Sequence, residues 1–244
     1  MPDLRKHRGP HPEDRRLFAR RFCGVLRQAT AELSWLLSRG YAEKSALALV
    51  GDRHRLVSRQ RQAVRRSSCS DVALCSRRSR AVGAAACSDG RVAIDGYNLL
   101  ITIESLMADG VGLIGRDGCL RDLASLHGTY RRVAETMPAV SLIAAHLEAK
   151  GIRSVDWYLD RPVSNSGRLK RLMAEVAAGS RLSWQIGLVN DPDRVLVAYD
   201  GVVATADSWI LDRCGAWVNL AAEIAAERVP GAWVVDLRED GVGA

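Results

Sequence analysis

Three segments of this sequence run from apolar residues into an aspartate: Ala93-Ile94-Asp95, Tyr158-Leu159-Asp160 and Ala204-Thr205-Ala206-Asp207. The run Val92 to Ile94 is too apolar to face water, so it reads as a buried parallel strand. Asp95 then falls at its carboxyl end, on the rim where open α/β sheets bind ligands. If the three strands are neighbours in a parallel sheet, their carboxylates converge on one edge. Unpaired they repel, and a hard divalent cation, Mg²⁺ or Mn²⁺, is the natural compensation. Asp212, five residues after Asp207, is a candidate fourth ligand, and Asn98 is placed to position a water or a phosphate oxygen. The competing reading is structural, since aspartate also suits turns and helix N-caps.

Other groups compete for roles. Glu104 falls one or two turns into the helix that follows Asp95, and Asp117 and Asp122 flank a turn into a helix, where Asp117 reads as a cap. Asp191 and Asp193 flank Pro192 and read as a turn or helix start. The small polar loop Ser164-Asn165-Ser166, ahead of a helix carrying Arg168, Lys170 and Arg171, is a ready anion site if the backbone N–H groups point outward, and otherwise only a capped loop. His127 reads as an ordinary packed or surface histidine, and His54, among arginines, as a phosphate contact.

These acids must be positioned by a chain of uneven charge. Of the 244 residues, 1–90 hold 19 Lys and Arg against 8 Asp and Glu, net +11, whereas 91–244 hold 16 against 20, net −4. A basic front attracts polyanions and an acidic back suits divalent cations. The densest basic cluster is Arg53, Arg55, Arg59, Arg61, Arg65 and Arg66, in which Arg61 and Arg65 share a helix face. The competing reading is a solvated basic helix. Six scattered cysteines form no CxxC pair, which argues against zinc and for reduced thiols. No apolar run reaches the length of a membrane span, and Met1 to His11 lacks the apolar centre of a signal peptide, so a soluble cytoplasmic protein is expected.

Apolar periodicity divides the chain into a disordered lead (1–12), a basic all-helical module (13–66), a connection (67–90) and an α/β domain (91–244). The module holds a long amphipathic helix from Phe18 to Gly40, a second over Ala46 to Val50 and a third from Ser58, as N-cap, through Val64. The α/β domain alternates. A strand to Ile94 is followed by a helix over Leu99 to Met107, a glycine-rich loop through Gly118, and helices carrying Leu120, Leu123, Leu126 and Val133 and then Val140 to Leu147. Strands are expected at Val155 to Leu159, Trp184 to Val189, Val202 to Thr205, Trp217 to Leu220 and Trp233 to Leu237, with a helix over Ala221 to Val229. Interleaved strands and helices mean a mostly parallel sheet covered on both faces.

Ile94-Asp95-Gly96-Tyr97-Asn98, the mid-chain Asp160 and Thr205-Ala206-Asp207-Ser208 resemble the PIN-like and NYN nuclease superfamily. Over most of its length the chain is similar to an uncharacterised prokaryotic family, the domain of unknown function 434 proteins. Trp35-Leu36-Leu37, Arg39-Gly40-Tyr41, Val50-Gly51-Asp52-Arg53, Arg59-Gln60-Arg61 and Asp160-Arg161-Pro162-Val163-Ser164-Asn165-Ser166-Gly167 carry that likeness. The resemblance implies a small helical module before a PIN-like, Rossmann-like domain. It also implies metal-dependent cleavage of RNA, with Asp95, Asp160 and Asp207 as the matched acids and Asp212 as a weaker match.

The expected function is therefore a Mg²⁺- or Mn²⁺-dependent endoribonuclease whose basic module holds the RNA, with DNA as the alternative polymer and a homo-oligomer left open. Two rivals stand beside it. One is a non-catalytic nucleic-acid-binding protein, in which the helices between Ala42 and Arg66 act as a helix-turn-helix. The other is a small-molecule phosphoesterase using the same carboxylate edge.

Overall fold

The computed structural model describes residues 7–87, 90–124 and 130–239. Its N-terminal part is helical: α1 (Asp14–Leu17), α2 (Arg20–Ser38), α3 (Glu43–Arg53), α4 (Ser58–Ser67) and α5 (Asp71–Arg80). Helix α2 buries Leu26, Ala29, Leu33 and Leu36 along one stripe, the spacing expected of an amphipathic helix. It stops at Gly40, whose φ of 80° lets the Gly40 and Tyr41 amides turn back to the carbonyls of Leu37 and Leu36, a closure that satisfies the last carbonyls of a helix. Helix α5 lies inside the stretch expected as a connection. Ser70 caps it, accepting from the Ala73 amide.

The remaining elements alternate: β1 (Ala81–Val82), β2 (Arg91–Asp95), α6 (Gly96–Met107), β3 (Gly112–Ile114), β4 (Leu120–Asp122), α7 (Thr136–Ala149), β5 (Ser154–Asp160), α8 (Ser166–Ala178), β6 (Ser183–Val189), α9 (Pro192–Val197), β7 (Val202–Ala204), α10 (Ser208–Leu211), β8 (Ala216–Val218), α11 (Leu220–Arg228) and β9 (Val234–Asp236). Six strands form one sheet in the order β1-β8-β7-β2-β5-β6, with every neighbouring pair parallel. Both faces are covered. Val92, Ile94, Val155, Trp157 and Leu159 point to the core shared with α6, α7, α8 and α11, while Ala93, Val203 and Trp217 point to that of α9 and α10. Burial on both faces is why these strands read as continuous apolar runs.

Three expectations are corrected here. Residues 111–123, read as a glycine-rich loop and a helix, contain β3 and β4, which pair antiparallel, and β9 joins β3 as a parallel neighbour in a second, three-stranded sheet. The three-residue spacing of Leu120 and Leu123 mimicked a helix, but Arg121 and Asp122 between them are themselves buried. The small sheet is also what the helical module rests on: Leu26, Leu33 and Val64 share a core with Val111, Leu113, Leu123, Val235 and Leu237. The module is thus not a separate unit. Residues 7–12, expected as part of a disordered lead, are tied to the α/β part, for the Arg8 guanidinium donates to Glu104 and to the Arg131 carbonyl. Residues 1–6 of that lead, and Leu126 and His127, lie outside the described residues. No helix among the described residues is long and apolar enough to cross a membrane, and all six cysteines are free thiols.

Gly96 opens α6 directly after β2. A β-carbon there would lie 2.5 Å from Leu159 Cδ2 and 2.7 Å from the Tyr158 carbonyl oxygen, so glycine is required by the close approach of α6 to β5. Gly96→Ala is expected to destabilise the protein by about 1–3 kcal/mol, read by denaturant unfolding. A loss below a few tenths of a kcal/mol would show that α6 can move away from β5 freely.

Candidate functional site

The strand order reverses beside β2. From β2 the chain moves outward to β5 and β6, then crosses back to place β7 against the other side of β2. The crevice between the carboxyl ends of β2 and β7 is where open α/β sheets take ligands. Asp95 ends β2, Asp160 ends β5, and Asp207 follows β7 by three residues, so all three lie along one edge of the sheet.

Short hydrogen bonds fix this edge. The Thr205 hydroxyl donates to Asp95 Oδ2 at 2.8 Å and accepts from the Asp207 amide at 3.0 Å. Asn98, in the first turn of α6, accepts from the Ala206 amide at 2.8 Å, which leaves its side-chain NH₂ as a donor. Asp207 also caps α10, its Oδ1 accepting from the amides of Trp209 and Ile210, so for this residue the capping reading describes one of the two carboxylate oxygens.

Electrostatically the edge is unfavourable. Burial pushes the Asp95 carboxyl up to about 7, and Asp207 and Asp193 add to the rise against the lowering effect of Thr205. Burial and Asp191 raise Asp160. Burial raises Asp193 as well, together with Asp207, Asp160 and Asp191. Asp193, which the sequence presented only as a helix start beside Pro192, therefore belongs to the same acidic field. Its neighbour Asp191 is a cap, accepting from the Arg194 amide.

Opposite this edge stands the helical module. A cleft of about 310 Å³ is lined by Glu43, Arg65 and Arg66 from α3 and α4, and by Asn98, Thr102, Arg121, Asp122, Ala206, Asp207 and Ser208. Arg66 donates to the Asp122 and Ala124 carbonyls, and the half-exposed Arg65 reaches Glu43 at 3.3 Å. Two of the six arginines read as a nucleic-acid grip thus face the same space as Asp207 and Asn98.

The other residues singled out by sequence are placed differently. Arg59 makes a two-pronged ion pair with the buried Asp14 and donates to the Leu123 carbonyl. Arg61 is taken up by the Leu56 and Ala48 carbonyls and Asp52. Arg53 and His54 both face Glu32, and Arg55 is an exposed residue with a φ of 51°. The Ser164-Asn165-Ser166 loop is bonded inward, Asn165 donating to the Tyr130 carbonyl and Ser166 to the Arg161 carbonyl. Asp212 accepts from Arg77 at 2.7 Å and is drawn away from the cleft. Asp117 is buried between Arg77 and Arg121, and Asp122 accepts from Thr102 and the Ala124 amide. Glu104 is enclosed by Arg8, Tyr130 and Thr136.

Among the described residues no three His, Cys, Asp or Glu side chains are gathered into a ligand set. The donors at the edge are nonetheless all oxygen. Mg²⁺ is commonly held by one or two carboxylates with waters and substrate phosphates completing its shell, which is the donor type that Asp95 and Asp207 offer.

Residues 84–223 match a family model described as a domain of unknown function (DUF5616), and residues 25–80 match one described as a protein of unknown function (DUF434). An uncharacterized protein of Methanocaldococcus jannaschii is 27% identical over 186 residues, spanning 76% of this chain and 88% of that protein. No solved structure matches. The likeness to the 434 proteins holds over the helical part, while the α/β part matches a different family. Neither description carries an activity.

Two outcomes follow from this geometry. Asp95 holds its proton up to about pH 7 when folded, against an ordinary value of 3.8. Between these values the folded state binds the extra proton, so stability falls as pH rises through this window and is level above it. Asp95→Asn keeps an acceptor for Thr205 and removes the ionised group. At a pH of about 8 it should be more stable than wild type by about 2–4 kcal/mol, and near a pH of about 4 equal to it, as read by denaturant melts. A gap that does not change with pH would show that Asp95 is not a buried titrating group. Separately, Arg59→Ala strands the Asp14 carboxylate, 1% exposed, and should destabilise the protein by about 3 kcal/mol or more. The exposed Arg55→Ala should shift stability by no more than about 0.5 kcal/mol.

Proposed function

We propose, for a chain that belongs through residues 84–223 to the DUF5616 family of unknown function, that it is a Mg²⁺- or Mn²⁺-dependent ribonuclease with a PIN-like α/β domain. RNA phosphodiesters are hydrolysed in the cleft between the helical module and the carboxyl edge of the sheet. One observation supports this reading above the others: Arg65 and Arg66 on one wall and Asn98 and Asp207 on the other line the same 310 Å³ space, at the crevice where the strand order reverses. Cationic guanidiniums facing carboxylates across a gap can hold the non-bridging oxygens of a phosphodiester while the carboxylates hold a cation.

In this reading Asp95 and Asp207 hold the metal, with Asp193 and Asp160 as the flanking negative field. When bound, the cation supplies Lewis-acid polarisation of the phosphoryl oxygen and a water of lowered pKa. Thr205 fixes the orientation of Asp95 by its hydroxyl. Asn98, its oxygen committed to the Ala206 amide, donates its NH₂ into the cleft to a phosphate or water oxygen. Arg65 and Arg66 orient the diester, and Arg121 braces the wall by donating to the Ala206 carbonyl at 2.9 Å. Trp209 beside Asp207 is 42% exposed, with Arg213 stacked on its ring at 4.5 Å, a surface of the kind on which unpaired bases stack. That favours RNA over a small phosphoester. The helix-turn-helix alternative loses support because Arg59 and Arg61 of α4 are engaged internally. A cytoplasmic location accompanies this reading.

Purified protein incubated with mixed single-stranded RNAs should cleave them with Mn²⁺ and not with chelator. Asp95→Asn should still fold and bind RNA, with cleavage lower by at least about two orders of magnitude. Mn²⁺ at about one hundred times its dissociation constant should stabilise the wild type by about 2.7 kcal/mol and leave the variant unmoved. Equal cleavage by both proteins would assign the activity to a contaminant. Absence of both cleavage and Mn²⁺-induced stabilisation would remove the metal hydrolase reading.

A further inference from the structure

We propose that the exposed arginines around the start of α8 form a second phosphate-binding patch continuing the cleft along the carboxyl edge, so that the ligand is a single-stranded RNA several nucleotides long. This rests on the ribonuclease reading of the cleft and extends it. Arg161 directly follows Asp160, and its guanidinium is pinned outside β6 by donating to the Leu188 carbonyl at 2.9 Å. Arg168 and Arg171, three residues apart, share one face of α8, and both are exposed.

The patch is assembled from distant parts of the chain. The Tyr130 amide donates to the Ser164 carbonyl at 3.3 Å and the Asn165 side chain to the Tyr130 carbonyl at 3.0 Å. These bonds hold Tyr130, two residues before the exposed Arg132, against the loop between β5 and α8. Asn165, with φ of 72°, turns the chain into α8, and no side chain caps the helix. The Ser166 amide is taken up by the Val163 carbonyl at 3.1 Å, and the helix dipole adds to the positive field there. Like charges on one helix face are unfavourable by themselves. The cluster lies at the carboxyl edge of the sheet, two strands from the cleft, where an anion covering it would relieve the repulsion.

Spacing sets the size of that anion. The cleft opens at the end of β7 and the patch begins at the end of β5, with β2 between them. Two interstrand steps amount to about 10 Å, more than one phosphate group spans. A ligand that touches Arg65 at one end and Arg168 at the other must be a chain of phosphates. Between them it passes Asp95 and Asp160, and a cation held by Asp95 and Asp207 would offset the repulsion.

The experiment compares wild type, the pair Arg168→Gln with Arg171→Gln, and the charge-keeping pair Arg168→Lys with Arg171→Lys. Binding of a labelled single-stranded RNA is measured over a range of salt, with turnover of bis-nitrophenyl phosphate and Mn²⁺ followed for the wild type. The Gln pair should melt like wild type and bind RNA roughly tenfold or more weakly, with a salt slope smaller by about 1.4, since each phosphate contact contributes about 0.7. The Lys pair should stay close to wild type. An unchanged affinity and slope in the Gln pair would overturn the patch, as would a Lys pair as weak as the Gln pair, or a wild type that binds a dinucleotide as tightly as the long RNA. If wild type turns over no diester yet binds RNA with the expected loss in the Gln pair, the patch stands and the hydrolase reading fails.

Discussion

The carboxylate of Asp117 sits between two buried guanidiniums, and the candidate site depends on that contact. Arg77 Nη1 lies 2.7 Å from Oδ2, while Arg121 reaches Oδ1 at 2.9 Å and Oδ2 at 2.7 Å. Burial alone would raise the pKa of this acid, but Arg121 and Arg77 more than reverse that and hold it well below the usual carboxylate range. Each guanidinium then reaches onward. Arg77, on the helix leading out of the helical module, binds Asp212 and the Ser208 carbonyl, and Arg121, on β4, binds the Ala206 carbonyl. One buried acid thereby joins the module, the small sheet and the loop that carries Asp207. Removing any one member would leave a charge stranded away from water, which is why such networks behave as a unit.

This network also explains what charge counting along the sequence missed. A net +11 over residues 1–90 records charges and says nothing of where they face. Arg59, Arg61 and Arg77 are committed to Asp14, Asp52 and Asp117, and Arg116 lies against Asp71 and Glu239. All of them hold the helical part in place. Of the clustered arginines, Arg65 and Arg66 are the ones lining the cleft. Apart from Arg61 and Asp52, nine residues apart, the pairs join residues 40 or more apart in sequence, so no local spacing could have revealed them.

Most of the α/β framework was legible, because strands buried on both faces are apolar throughout and α2 carries its stripe and its terminal glycine. The small sheet was not legible. β3, β4 and β9 have three residues each, too few for a period to register, and they exist because tertiary pairing overrides local preference. The acidic edge was readable in Asp95, Asp160 and Asp207, since strand ends are local features. Asp193 was obscured by Pro192, whose helix-opening signal accounts for the segment without reference to what the helix faces.

In the cleft Arg65 and Asp207 form no ion pair, whereas Arg66 approaches Asp122 at 3.9 Å. Had Arg65 reached Asp207, the two would have neutralised one another and closed the space. Instead Arg65 lies against Glu43 and Arg66 against two carbonyls and the Asp122 carboxylate, while Asp95 is bonded to a hydroxyl and Asp207 to amides. The lining therefore carries both signs, with Glu43 beside Arg65 and Arg121 beside Asp122 and Asp207. The cost appears at Asp95, where burial and the facing acids raise the pKa to about 7. A fold selected for stability alone would relieve this by pairing the groups across the cleft. Hydrogen bonds through Thr205 and Asn98 tie Asp95 and the loop carrying Asp207 in place beside the cleft, and a buried carboxylate raised by its neighbours there makes the edge a candidate site. In the proposed reading these mixed charges would meet a ligand that itself carries both signs, a cation with a phosphate.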